Sequence, residues 1–192
     1  QYTIEQRLGG GKYAEVYLAI DRRIEGTDGG DPRVATKILR PKYWENEEAR
    51  QRLRREGTLQ KADSLGRHNK IVSVLRTETL SPLAVDSPAT DIPLLVMEYV
   101  EHITLDDYLR RSGGAAPLNE TFAIILRQLA SALDWIHTNN PCIVHRDLAP
   151  HNILLRCTRG DEAARLLLKR DDFVQLTDFG LAFVESERRI TQ

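Results

Sequence analysis

Apolar residues are distributed differently along the two parts of this chain, and that difference predicts its elements. Three short strand-like runs occupy the first part: Tyr2 to Leu8, which alternates weakly, Glu15 to Ile20, which is apolar-rich, and Arg33 to Leu39, which carries Val34, Ala35 and Ile38. Between the second and third lies Glu25-Gly26-Thr27-Asp28-Gly29-Gly30-Asp31-Pro32, whose residue types favour an exposed connector. Strand, turn, strand, loop, strand predicts an antiparallel meander. A helix is predicted next, from Trp44 to Ala62, with Glu45, Glu47 and Glu48 at its start and Arg50, Arg52, Arg54 and Arg55 after them, which suits the helix dipole. Its least polar stripe is Ala49, Leu53, Glu56 and Leu59. A carboxylate on an inward stripe requires a cationic partner. Gly57 in the same helix costs ~1 kcal/mol relative to Ala, so packing and not propensity must hold it.

Ile71 to Leu75 and Leu94 to Met97 are two more predicted strands, separated by a loop containing Pro82, Pro88 and Pro93. Leu105 to Arg111 predicts a short helix stopped by Gly113-Gly114. The strongest helical pattern runs from Leu118 to His137, where Leu118, Phe122, Ile125, Leu126, Leu129, Leu133 and Ile136 share a face. Asn119 can cap its start, and Asn139-Asn140-Pro141 ends it. Ile153 to Leu155 and Phe173 to Thr177 are strand candidates; between them Arg156 to Asp172 is rich in charge, with Ala163, Ala164, Leu166, Leu167 and Leu168 at helical density. That segment reads as a surface insertion. Strands first and helices later give an α+β plan with segregated halves.

Composition narrows the function classes. The 192 residues are 41% hydrophobic and 29% charged, which is the profile of a globular protein. Lys and Arg number 27 against 28 Asp and Glu, so no general attraction to nucleic acid or to an anionic membrane is expected. Cys142 and Cys157 show no metal-ligand spacing and fit a reducing compartment, hence a cytoplasmic location. No apolar run approaches the ~20 residues of a membrane span, and no secretory leader pattern opens the chain. It begins at Gln1, so a preceding segment is expected.

Candidate chemistry concentrates in His145-Arg146-Asp147-Leu148-Ala149-Pro150-His151-Asn152, which follows the apolar Cys142-Ile143-Val144. An Asp able to accept a hydroxyl proton and an Asn able to hold a metal ion are placed close together, as phosphoryl transfer needs. Asp178-Phe179-Gly180 lies downstream. Upstream, Leu8-Gly9-Gly10-Gly11-Lys12-Tyr13-Ala14-Glu15-Val16 sits at the first predicted turn, where glycines let backbone N–H groups approach phosphate oxygens.

Taken together with Val34-Ala35-Thr36-Lys37, these motifs resemble the protein kinase family. Arg54-Arg55-Glu56 is similar to the bacterial eukaryotic-type serine/threonine kinases at this point. The resemblance implies a bilobal fold: a β-rich lobe over 1–99 with one helix, then a partial helical lobe over 100–192. It implies ATP and Mg²⁺ as cofactors and a protein substrate with a Ser or Thr acceptor, with no nucleic acid and no membrane segment. Leu8, Gly9, Gly10 and Gly11 would cover the phosphates, and Lys37, paired with Glu56, would contact them. Glu98 carbonyl and Val100 N–H would bind the adenine edge, Met97 would guard the deeper pocket, and Val16, Ala35 and Leu154 would sandwich the ring. Asp147 would be the base, Asn152 and Asp178 would hold the metal ions, and Arg146 would dock an activating phosphate.

Three departures from the family pattern stand out: Ala14 for the third Gly, Gln60 for an apolar residue, and Ala149 where serine/threonine kinases usually carry Lys. They keep open a nucleotide-binding pseudokinase or scaffold without turnover. A tyrosine-directed or small-molecule kinase ranks lower. No A-P-E motif follows Asp178-Phe179-Gly180 before Gln192. The chain therefore reads as a catalytic domain cut in its activation segment, and poor catalysis is expected of it alone.

Overall fold

The computed structural model describes residues 1–24, 30–61, 65, 68–80, 91–113, 119–139, 141–159 and 164–184. Most of the Gly- and Asp-rich connector, Ala62, Pro82, Pro88, Gly114, Leu118, Asn140, Ala163 and everything after Val184 lie outside the described residues. The chain divides into two compact units: Gln1–Ser64 with Ser73–Tyr99, and Leu65–Val72 with Val100–Gln192.

In the first unit, β1 (Tyr2–Gly10), β2 (Ala14–Asp21), β3 (Arg33–Leu39), β4 (Val74–Leu80) and β5 (Ile92–Glu98) form an antiparallel sheet in the order β1-β2-β3-β5-β4. Register decides which side chains share a face. Ala19, Val34, Leu94 and Val96 are buried together on one side, with Tyr2, Ile38 and Leu80 packed against them. Tyr2 and Glu78 stand on strands at opposite edges, yet the Tyr2 hydroxyl donates to Glu78 Oε1 at 2.6 Å. The sheet therefore curls until its edges meet. Asp21, fully buried at that seam, accepts from Arg23 Nε at 2.9 Å and also from Arg76. Such a buried carboxylate persists only with partners of this kind.

The helix α1 spans Glu47–Leu59, shorter at both ends than its predicted bounds. Pro41–Tyr43 forms a 3-10 turn first, and Trp44 follows it with its indole N–H on Leu39 O. The cap is Asn46, whose side chain accepts from Ala49 N at 2.8 Å. The inward stripe also differs from expectation. Ala49, Leu53 and Glu56 are buried, but Gly57 and Gln60 join them while Leu59 is only half-buried.

The strand predicted at Ile71 to Leu75 is displaced: β4 begins at Val74. Ile71 and Val72 belong to the second unit, where Val72 N donates to Leu176 O at 3.0 Å and Leu176 N to Lys70 O at 2.8 Å. That unit also holds β6 (His102–Thr104), α2 (Leu105–Arg111), α3 (Glu120–Thr138), β7 (Ile143–Val144), β8 (Ile153–Arg159), β9 (Ala164–Leu166), β10 (Val174–Leu176) and β11 (Phe183–Val184). Its strands pair as β10-β8-β6, with β9 also on β8 and β11 on β7. A capping box, Thr104 with Asp107, starts α2, and Asn119 caps α3 through Phe122 N at 2.9 Å.

Two sequence expectations fail here. The inward face of α3 is Ile125, Gln128, Leu129, Ala132 and Ile136, whereas Leu126 is exposed. Gln128 belongs inside because its Oε1 accepts from Val174 N at 3.0 Å and its Nε2 donates to Arg170 O at 2.9 Å. The predicted insertion is also not helical where it is described. β8 continues to Arg159 and pairs with β9, Cys157 opposite Leu166, so backbone groups are satisfied by a ribbon.

Candidate functional site

The first unit carries the glycine turn and the lysine. Of the three adjacent glycines, the middle one is the position that admits no side chain: a Cβ on Gly10 would lie 2.8 Å from Ala14 O and 3.0 Å from Glu15 Cα. Gly9 and Gly11 face open space, and Gly11 N donates to Ala14 O at 2.9 Å to close the hairpin. Leu8 precedes them at an irregularity in the β1–β2 register. Ala14 is buried and paired with Leu39, so its methyl is absorbed by the sheet. Sequence reasoning did not anticipate what holds the turn. The Tyr13 ring lies 4.9 Å from Tyr43, with Arg52 of α1 over its face at 5.4 Å.

Cross-strand register sets Val16, Lys37 and Leu95 at one level on one face, with Ala35 and Met97 at the next level on the same face. Lys37 is 8% exposed and Glu56 2%, and Lys37 Nζ donates to both Glu56 oxygens, at 2.7 and 2.8 Å. The inward carboxylate of α1 thus meets its cation. Two buried charges in contact hold each other where either alone would be costly. Glu98 ends β5 with its side chain on the other face, and its N–H donates to Ser73 O at 3.0 Å.

In the second unit the candidate residues gather around one imidazole. Antiparallel pairing sets Ile153 opposite Leu176, which brings the residue before β8, Asn152, beside the residue after β10, Thr177. Thr177 N donates to Asn152 O at 3.1 Å. His145 is buried, and its Nδ1 accepts from Asp147 N at 3.3 Å, so Nε2 carries the proton and donates to Thr177 O at 3.1 Å. Burial pushes this imidazole below its ordinary pKa; the Thr177 bond and the charges of Asp178 and Asp147 oppose that without cancelling it. The fully buried Phe179 meets His145 edge-on at 4.6 Å between centroids. One neutral histidine therefore ties the Asp147 segment to the Asp178 segment.

Asn152 Nδ2 donates to Asp147 O at 2.9 Å and to Asp147 Oδ2 at 3.2 Å. With its amide N–H₂ committed to Asp147, Asn152 has its Oδ1 as the atom able to meet a cation. Arg146 and Asp178 both adopt positive φ, 64° and 66°, an uncommon conformation for side chains of their size. Asp178 Oδ1 accepts from Gly180 N at 3.3 Å, and the Arg146 guanidinium lies 4.1 Å from the Phe183 ring centroid. Val100 is buried, its carbonyl in contact with His102 Nδ1 at 2.5 Å, and Leu154 is half-buried on β8 opposite Gln175 and Thr104.

Among the described residues, no group of three or more His, Cys, Asp or Glu side chains could hold a metal ion by itself. One carboxylate and one amide oxygen nearby suit a hard cation that takes its remaining ligands from phosphates and water, as Mg²⁺ does. The residues present fit such a group.

A family profile described as protein kinase domain matches residues 2–191. Among curated proteins, the chain is 38% identical to the serine/threonine-protein kinase PrkC of Bacillus subtilis over its whole length, covering 24% of that protein. It is 32% identical to the serine/threonine-protein kinase PknB of Mycobacterium tuberculosis, covering 26%, and 30% identical to PknH of the same species, covering 25%. The chain thus spans about a quarter of the length of the relatives it matches. With a lysine–glutamate pair joining its curled sheet to α1, an Asp–Asn segment bound through histidine to Asp-Phe-Gly, and a family match over nearly every residue, this chain belongs to the protein kinase family.

Proposed function

We propose that this chain takes part in transfer of the γ-phosphoryl group of ATP to serine or threonine hydroxyls of protein substrates. The observation that carries the reading is the Asn152 amide bound to the Asp147 carboxylate, with Asp178 next to Thr177 in the same hydrogen-bonded lattice. That arrangement puts a proton acceptor beside the oxygens suited to Mg²⁺.

Mg²⁺, when bound with ATP, supplies charge neutralisation at the phosphates; Asn152 Oδ1 and the Asp178 carboxylate are the groups that would hold it. Lys37, kept in place by Glu56, offers its ammonium to phosphate oxygens. Backbone N–H groups of Gly9, Gly10 and Gly11, with Leu8 beside them, cover the phosphates. Val16, Ala35, Met97, Leu154 and the main chain at Glu98 and Val100 take the adenine. Asp147 orients the acceptor hydroxyl and accepts its proton. The relatives named above are serine/threonine kinases, which supports that acceptor class, and Pro150 after Ala149 follows the same pattern. Among the described residues no helix is long and apolar enough to cross a membrane. The free thiols Cys142 and Cys157 support a reducing, cytoplasmic setting.

Titrating the chain with ATP, with and without Mg²⁺, tests the nucleotide half of this reading. Saturable, Mg²⁺-dependent binding is expected, weakened in Lys37→Met and nearly unchanged in Asp147→Asn. In a protein containing this chain, Asp147→Asn should lower turnover by ~10²–10⁴-fold, the range of positioned proton-transfer groups. Equal ATP binding by Lys37→Met and the parent would remove Lys37 from the site. A product containing phosphotyrosine alone would overturn the acceptor class.

A further inference from the structure

Three side chains at one register level form a row across the sheet of the first unit. Lys37 on β3 stands opposite Leu95 on β5, and Leu95 stands opposite Thr77 on β4. Helix α1 crosses this row. Glu56 meets its first member, with both carboxylate oxygens on Lys37 Nζ at 2.7 and 2.8 Å. The next residue, Gly57, meets the other two: a Cβ built there would lie 2.6 Å from Leu95 Cδ2 and 2.7 Å from Thr77 Oγ1. Backbone conformation does not call for glycine at this point, because Gly57 is not among the positive-φ residues. Helix propensity argues for alanine. The closeness of the helix to the sheet explains the residue: of the two side chains beneath it, Leu95 is wholly buried and Thr77 is exposed.

We propose that Gly57 is a positioning residue for phosphoryl transfer: its missing side chain lets α1 settle deep enough for the Glu56 carboxylate to reach Lys37. The proposal rests on the kinase reading of that pair. A methyl at position 57 needs an ordinary carbon–carbon contact of ~3.5–4.0 Å in place of 2.6 Å; Thr77 can swing aside, so it is the buried Leu95 that turns this ångström or so into a lift of the helix in the proposed arrangement. A contact of 2.7 Å one residue away does not survive such a lift unchanged. Lys37 then loses the partner that aims it, and misplacement on this scale is worth up to ~10²-fold in an enzyme.

The test is a double-mutant cycle on the full chain, reading Mg-ATP affinity in the parent, Gly57→Ala, Glu56→Gln and the double variant. Affinity is expected to fall about tenfold or more in Gly57→Ala, and the double variant should match Glu56→Gln within about twofold, because Gly57 acts only through Glu56. Parental affinity in Gly57→Ala, or losses that multiply in the double variant, would overturn the proposal. Removing the obstructing atoms, with Leu95→Val and Thr77→Ala in the Gly57→Ala background, should restore folding and affinity together; failure to restore affinity in a folded protein also counts against it. If the parent binds no Mg-ATP, the kinase reading fails separately, and a crystal structure of Gly57→Ala then decides. Lys37 and Glu56 drawn apart beyond ion-pair distance would uphold the positioning role, and an intact contact would end it.

Discussion

His68 stacks on Trp135, with ring centroids 5.5 Å apart and an interplanar angle of 21°. Burial and the nearby Lys70 ammonium push its pKa below the ordinary imidazole value, against an opposing pull from Asp171. The unfolded chain, whose imidazole titrates near ~6.5, therefore binds more protons than the folded one between the lowered value and ~6.5. Stability should rise with pH across that window and be level, for this group, above it. Urea midpoints for the parent and His68→Gln, taken from about pH 5.5 upward to keep carboxylates out, will check this. The parent should lose more stability on acidification than the variant, and parallel pH dependence would show that His68 is not responsible. At the same scale, sequence alone pointed to Glu56 as a buried charge in want of a cation, since a carboxylate on an apolar stripe has few other uses. It did not reveal the strictness of Gly10 or the closeness of Gly57, because clearance depends on which strand passes beneath a residue.

At the scale of elements, α2, β3 and the start of β8 after the Asp147 segment were legible because local pattern and tertiary environment agree there. α3 was read less well. Its inward Gln128 looks polar in the sequence, yet it caps two backbone groups of the neighbouring Arg170–Val174 turn. Replacing Gln128 by Leu would complete the apolar face by pattern, but it would leave the buried Val174 N–H without its acceptor, while Arg170 C=O keeps the bond from Phe173 N at 3.3 Å. A loss of ~1–3 kcal/mol is expected, the usual cost of an unsatisfied buried polar group. Chemical denaturation decides the matter: a neutral or stabilising Gln128→Leu would mean that water reaches the Val174 N–H. The ribbon β8–β9 escaped the reading for a related reason. Ala and Leu at helical density say nothing about an unpaired strand edge close by, and β8 offers one.

At the scale of the whole molecule, sequence order and structural membership part company at Leu65–Val72, which lies between α1 and β4 yet packs in the second unit. Its backbone runs beside β10 through Val72 N to Leu176 O and Leu176 N to Lys70 O. Lys70, 6% exposed, adds contacts of 3.1 Å from its Nζ to Asn69 Oδ1 and Asp171 Oδ2. Val72→Pro removes one donor of this ladder and should destabilise the second unit by about 1 kcal/mol or more. Amide hydrogen exchange will report it: the Leu176 N–H is expected to lose protection, while the β2 and β3 amides of the first unit keep theirs. Unaltered protection at Leu176 would show that the strand is held without this neighbour.

That membership has a consequence for biosynthesis. Ile71 and Val72 leave the ribosome about a hundred residues ahead of Leu176, the residue they must lie against. At ribosomal rates of ~5–20 residues per second, the wait lasts roughly 5–20 s. For that time a short apolar strand edge, attached to a sheet that can already close, has no partner from its own chain. A nascent polypeptide stalled anywhere between β5 and β10 would present this edge to whatever surrounds it, so codon tempo and chaperone capture in that interval bear on the yield of native protein.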